Sequence, residues 1–188
     1  MFPLFGSTVY PSMRWVPGWF TPSKSLRKAV ISFASATRRC FVESFFPKPV
    51  LNALVQMRKL GMWTEIVYLV VPTLNDGERE FTGMARWVKT NLGPDVPLHF
   101  SRFHPEYLLK NLPVTPVGTL DRAHAIAVAE GLNYVYVGNV PGHAAENTYC
   151  PKCRRAVVER TGFTVRATHL SKGKCKYCRQ PIAGVWEG

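Results

Sequence analysis

Four cysteines stand in two Cys-x-x-Cys pairs, Cys150-Pro151-Lys152-Cys153 and Cys175-Lys176-Tyr177-Cys178, with 21 residues between the pairs. A tight turn in each pair can aim two sulfurs at one ion, so together they offer four thiolates in tetrahedral array. The gap is one residue beyond the usual range for paired metal ribbons. The spacing predicts a bound metal, with zinc the first expectation, rubredoxin-like iron the competitor for four thiolates and disulfides the remaining option. An all-cysteine ligand set leaves no open coordination position, which predicts a structural centre rather than a catalytic one. The 39 residues from Cys150 to Gly188 cannot bury enough core to fold unaided. Structural zinc contributes on the order of 10–16 kcal/mol in small metal-held peptides, so the metal is the expected reason that this module folds.

The elements that must position these thiols are short. Ala156-Val157-Val158 and Phe163-Thr164-Val165-Arg166-Ala167 read as two strands joined at Thr161-Gly162, a hairpin. Lys172-Gly173-Lys174 then delivers the second pair. The module is basic, with nine basic side chains against two acidic ones in residues 150–188. Zinc ribbons can bind nucleic acid, but the aromatic residues here are few and show no alternation with basic ones of the kind that marks a single-strand stacking surface. A solvated basic face is the expectation.

Residues 48–143 carry a different pattern, and their charge is balanced: residues 48–149 hold nine basic and nine acidic side chains. Val50, Leu51, Leu54, Met57 and Leu60 recur at helical spacing, and Gly61 supplies a helix stop. Trp63 to Val71 comes next as a strand whose continuous apolar end suits a strand covered on both faces. In the second unit Asn75 and Glu78 have capping-box spacing. Phe81, Met84, Ala85, Val88 and Leu92 line one helix face, Gly93-Pro94 stops it, and a strand is expected over Val96–Phe103. A third helix, from about Leu120 to Glu130, ends at Gly131 and leads to the strand Tyr134–Val137. Helix, glycine and strand in repetition predict parallel right-handed crossovers, as in part of an α/β barrel or a doubly wound sheet. In both architectures ligands meet the carboxyl ends of the strands. Those ends carry Arg102, His104 and His143, with His99 within a strand; each taken alone is more simply a rim or core group.

Three strings carry a family resemblance: Glu65 to Asp76 (EIVYLVVPTLND), Leu92 to Pro105 (LGPDVPLHFSRFHP) and Tyr134 to His143 (YVYVGNVPGH). They resemble the radical S-adenosylmethionine enzymes of the AmmeMemoRadiSam system, relatives of the pyruvate formate-lyase activating enzymes, from about Pro49 to Trp186. The resemblance covers the C-terminal half of such an enzyme. It implies a partial (β/α) barrel, followed in this chain by the small C-terminal zinc ribbon that the cysteine pairs predict. In full-length members the barrel closes over a four-iron-four-sulfur cluster and S-adenosylmethionine, from which a 5′-deoxyadenosyl radical is released. It also implies that His99, the matching strand histidine, lies beside the S-adenosylmethionine.

The departures are as informative. A cluster that leaves one iron free for S-adenosylmethionine needs three thiolates in a C-x-x-x-C-x-x-C loop, and no such spacing occurs in this chain. The glycine-rich Gly-Gly-Glu loop of the following strand is also absent. The chain alone is therefore expected to be inactive, and catalysis would need a companion chain carrying the cluster-binding half barrel. A zinc-ribbon module that binds nucleic acid or protein is the alternative reading, and a truncated product without activity is a third.

Residues 1–47 fit neither unit. They hold six basic side chains against one acidic, Glu43, with prolines at 11, 17 and 22 that exclude an early helix. A helix is possible from Ser23 to Phe41. The composition suits an organelle transit segment, a mis-assigned start or a stretch unrelated to the domain after it, and no function is assigned to it. Cys40, distant from the other cysteines, is expected to be a small buried hydrophobe. Net charge is +12, concentrated at the two ends. No apolar run approaches membrane-spanning length. Paired cysteines of this kind suit a reducing compartment, so a cytoplasmic protein without membrane contact is expected.

Overall fold

The computed structural model describes residues 28–33 and 48–186. Four strands make a parallel sheet in strict chain order: β1 (Lys28–Phe33), β2 (Trp63–Val70), β3 (Leu98–Arg102) and β4 (Val135–Gly138). Between them run α1 (Lys48–Lys59), α2 (Glu78–Asn91) and α3 (Val117–Ala129). Successive parallel strands joined by right-handed crossovers, with no reversal of order, place every helix on one side. The core agrees: Leu54 of α1, Phe81, Met84 and Val88 of α2, and Leu120 and Ala123 of α3 pack in one cluster against Ile66, Tyr68, Leu98, Phe100, Val135 and Val137. Tyr68, Phe81 and Phe100 meet edge to face at its centre, with ring centroids 5.5–6.3 Å apart. Both alternatives began from a parallel sheet; the described strands form an α/β sheet wound in one direction, without the order reversal of a doubly wound fold and without closure into a barrel.

The glycine stops hold. Gly61, Gly93 and Gly131 adopt φ of 71°, 100° and 94° directly after the three helices, the left-handed region in which a side chain is disfavoured. Three other expectations are corrected. Lys28–Phe33, inside the stretch where a helix was possible, is a strand paired in parallel register with Trp63–Tyr68; Val30 and Ile31, both β-branched, suit it. The rest of residues 1–47, Cys40 included, lies outside the described residues. Secondly, β2 is not covered on both faces. Thr64, Ile66, Tyr68 and Val70 are buried under the helices, whereas Trp63, Glu65, Val67 and Leu69 are only half-buried on the opposite face.

Thirdly, Asn75 does not cap α2. That helix begins at Glu78 behind Gly77, with no side-chain cap. Asn75 is instead buried in the loop after β2, where its Oδ1 accepts from the Val71 amide (2.6 Å) and its Nδ2 donates to the Leu69 carbonyl (2.9 Å). The Tyr68 hydroxyl donates to the Asn75 carbonyl (3.1 Å), and burial raises the Tyr68 pKa far above its usual value. The side chain satisfies strand-end backbone groups that the departing chain would otherwise orphan. Replacing Asn75 by Ala is expected to cost about 2–3 kcal/mol, the penalty for leaving buried backbone groups unpaired. Urea unfolding would show this as a lowered midpoint at unchanged slope; an unmoved midpoint would show that the loop does not rely on this clamp.

Candidate metal centre and adjoining cleft

Beyond β4 the chain forms β5 (Thr148–Tyr149), β6 (Ala156–Thr161) and β7 (Thr164–Thr168), an antiparallel three-stranded sheet, and then the small pair β8 (Leu170–Ser171) and β9 (Lys174–Cys175). The hairpin turns at Gly162, φ 57°, as its sequence predicts. The two Cys-x-x-Cys turns share one backbone frame. In the first, Cys150 N donates to Arg155 O and Arg154 N to Cys150 O, both at 2.9 Å; in the second, Cys175 N donates to Gln180 O and Arg179 N to Cys175 O, again at 2.9 Å. The residue after each second cysteine is left-handed, Arg154 at φ 60° and Arg179 at φ 61°.

These matched turns bring the four sulfurs together. All lie within 4.8 Å of one another. Cys150 Sγ is 3.5 Å from Cys178 Sγ, and Cys153 Sγ is 3.7 Å from Cys175 Sγ. The four are free thiols, with Cys150 and Cys175 buried and Cys153 and Cys178 half-buried. Burial works against ionisation of Cys175. The backbone N–H groups of Cys178 and Tyr177, with the Cys153 and Cys178 thiols, outweigh it and bring its pKa down to about 7. Four sulfurs at this separation, one of them disposed to ionise, could hold a metal ion.

The ribbon sits on the sheet face that the helices leave open. Tyr134, just before β4, is buried among Cys150, Val157, Cys175 and Ile182. Its hydroxyl accepts from the Ala183 amide at 3.1 Å, and burial pushes its pKa up to about 12. Two residues on, the Tyr136 hydroxyl meets Thr148 Oγ1 at 3.0 Å, and burial again raises the phenol pKa. Thr148 also accepts from Arg160 Nη1 at 2.8 Å.

Between sheet and ribbon lies a cleft of about 550 Å³. His99 lies on its floor. It stacks on Tyr136, its cross-strand neighbour, with centroids 4.8 Å apart and planes 20° apart. His99 Nε2 is 3.2 Å from Glu65 Oε2, and Glu65 Oε1 accepts from Trp63 Nε1 at 2.8 Å. Glu65, Tyr136 and Arg160 were not singled out from the sequence, although Glu65 is the lone charged residue of β2.

Two of the other strand-end residues, Arg102 and His143, hold structure together. Arg102 Nε donates to the Thr115 carbonyl (2.8 Å), and His104 is exposed. His143 joins α3 to the turn after β4: its Nδ1 accepts from the Ala145 amide (3.1 Å) and its Nε2 lies 2.9 Å from Asp121 Oδ1. A ring that accepts at Nδ1 carries its hydrogen on Nε2 and donates to Asp121. Nearby His124 has a lowered pKa, first through burial and then through His143. The folded state thus resists a proton that the unfolded imidazole accepts near its ordinary 6.5. Its effect on stability is absent above that pH and grows as a penalty when pH falls below it. A His124→Gln variant is expected to lose less melting temperature than wild type between pH 7 and pH 5; equal losses would contradict this assignment.

No protein-family model matches the chain. It is similar to an uncharacterized protein of Methanocaldococcus jannaschii, with 44% identity over 137 residues. The match covers 72% of this chain and 41% of the archaeal protein, so the chain spans about two fifths of that relative's length. Among the described residues no helix is long and apolar enough to cross a membrane.

Proposed function

We propose that this chain is the C-terminal portion of a radical S-adenosylmethionine protein of the glycyl-radical-activating type, with a zinc ribbon fixed to a sector of its barrel. The observation that carries the reading is the one-directional sheet. Its helices cover one face and leave Glu65, His99 and Tyr136 on the other, as the wall of a (β/α) barrel would. In this reading His99 faces the S-adenosylmethionine space, held by Glu65 and by its stack on Tyr136. The archaeal relative, longer than the matched region, is compatible with a second half borne elsewhere.

The metal assignment rests on the size of the thiol cluster. A zinc–sulfur distance of about 2.3 Å gives tetrahedral sulfur–sulfur edges of about 3.8 Å, and two edges here are 3.5 and 3.7 Å. Cys150, Cys153, Cys175 and Cys178 would hold the ion and leave no position for substrate, so its role is to hold the fold. Metal analysis of the purified chain is expected to return about one zinc per molecule. Cys150→Ser should lose that zinc together with the protease resistance of residues 150–178. A variant that keeps both would remove the assignment.

The residues of this chain do not fit an S-adenosylmethionine-binding iron–sulfur cluster. Its clustered thiols are these four, and no C-x-x-x-C-x-x-C loop is present. A loop of that kind from outside these 188 residues is therefore part of the proposal, and these residues alone perform no radical step. Anaerobic reconstitution with iron and sulfide should give neither the visible absorbance of a four-iron cluster nor 5′-deoxyadenosine; production of that nucleoside by the chain alone would overturn the proposal. A nucleic-acid-binding ribbon is less well supported. Its exposed Tyr177 already lies under the Arg155 guanidinium, 4.9 Å from the ring centroid, and beside His169 at 5.5 Å.

A further inference from the structure

We infer that the cleft between sheet and ribbon binds a small molecule through a carboxylate seated on Arg160, with an apolar or aromatic body lying between Phe163 and Trp186. The volume of about 550 Å³ falls within the range of small-ligand sites. The charges lining it are unequally engaged. Glu65 is held by Trp63 and His99. Glu146 accepts from the Gly142 amide at 2.9 Å and from the Gly162 amide at 3.2 Å.

Arg160 is half-buried, yet its side chain meets only neutral oxygens. Nη1 donates to Thr148 Oγ1 (2.8 Å) and to the Glu146 carbonyl (3.3 Å). Among the described residues no carboxylate pairs with it, the Tyr136 hydroxyl is a further neutral neighbour, and the two bonds above use Nη1 rather than Nε or Nη2. These two N–H groups form the fork that receives a carboxylate through two parallel bonds. A partly desolvated guanidinium without a counter-charge is costly to keep, and an anionic ligand offsets that cost.

The fork is also held in place. The Arg160 amide donates to Asn147 Oδ1 at 2.8 Å, and Nη1 is fixed through Thr148 to Tyr136. Two aromatic side chains stand at its rim. Phe163 stands fully exposed at the hairpin tip, on the cleft rim. The Trp186 ring lies over Gly173, where any side chain would meet it at 2.6 Å, and its Nε1 donates to Ile182 O at 2.8 Å.

The carboxylate site shares its cleft with the His99 side of the proposed function and rests on that reading in needing a metal-loaded ribbon. Zinc content is therefore measured in every sample, so that loss of the ribbon and loss of the site are told apart. The full chain, loaded with zinc and labelled with 15N, is titrated with benzoate, with its neutral isostere benzamide and with inorganic phosphate, monitoring the Arg160 Nε–H and Gly162 amide resonances. Benzoate is expected to shift both at millimolar concentration, with benzamide and phosphate at least tenfold weaker. Arg160→Gln should abolish the preference for benzoate over benzamide at unchanged zinc content, read from the Gly162 amide. Arg160→Lys, which keeps a cation but removes the fork, should weaken benzoate at least fivefold and serves if the glutamine variant fails to fold. Equal response to benzoate and benzamide, response to neither, tighter binding of phosphate, or undiminished benzoate binding by either variant would each overturn the inference.

Discussion

Four sulfurs crowded within 4.8 Å are the constraint on which the C-terminal ribbon rests. The ribbon interior consists of Tyr134, Cys150, Val157, Cys175 and Ile182, and one of those five is lent by the parallel sheet. Ordering a backbone costs about 1–2 kcal/mol per residue, far more than so small an interior returns over this length. A cation shared by the thiols would both remove their mutual repulsion and tie the two turns together. Thr148 and Arg160, which the ribbon presents to the sheet, lie on the strands β5 and β6 that flank the first of those turns.

The parallel sheet sets the other half of the geometry. Because its strands keep chain order, the helices gather on one side and the polar side chains of β2, β3 and β4 share the other. The hydrogen bonds from Tyr134 to Ala183 and from Tyr136 to Thr148 then fasten the ribbon across the exposed side. Tyrosine suits that junction: its ring is buried with the apolar groups while its hydroxyl finds a partner in the opposing module. The cleft is what remains between two surfaces joined at one end.

How much of this was legible in the sequence depends on how local the cause was. Gly61, Gly93 and Gly131 end helices for a reason contained in their own backbone, and the helix–strand order could be read from them. The cysteine pairs were legible for the same reason, since a tight turn needs only its own residues. Asn75 was misleading because the spacing that makes a capping box also suits a loop clamp, and burial against Leu69 and Val71 decided between them. Lys28–Phe33 forms a strand through its partner β2, a long-range choice invisible to helical spacing. Arg160 looked like one of nine basic side chains in a solvated module. Its lack of a carboxylate partner is a property of the packing, and the stack of His99 on Tyr136 arises from strand register.

The hairpin arm is not an even ladder. Between Glu159 and Arg160 the pairing of β6 with β7 slips: Glu159 faces Ala167, Arg160 faces Val165, and Arg166 is left unmatched. A surplus residue of this kind bends its strand and deepens the local twist. Losing it would flatten the arm and carry Phe163 away from the mouth it overlooks. The placement of that aromatic ring is thus written in an odd count of residues, not in any one side chain, and an alignment column comparing residue types would pass over it.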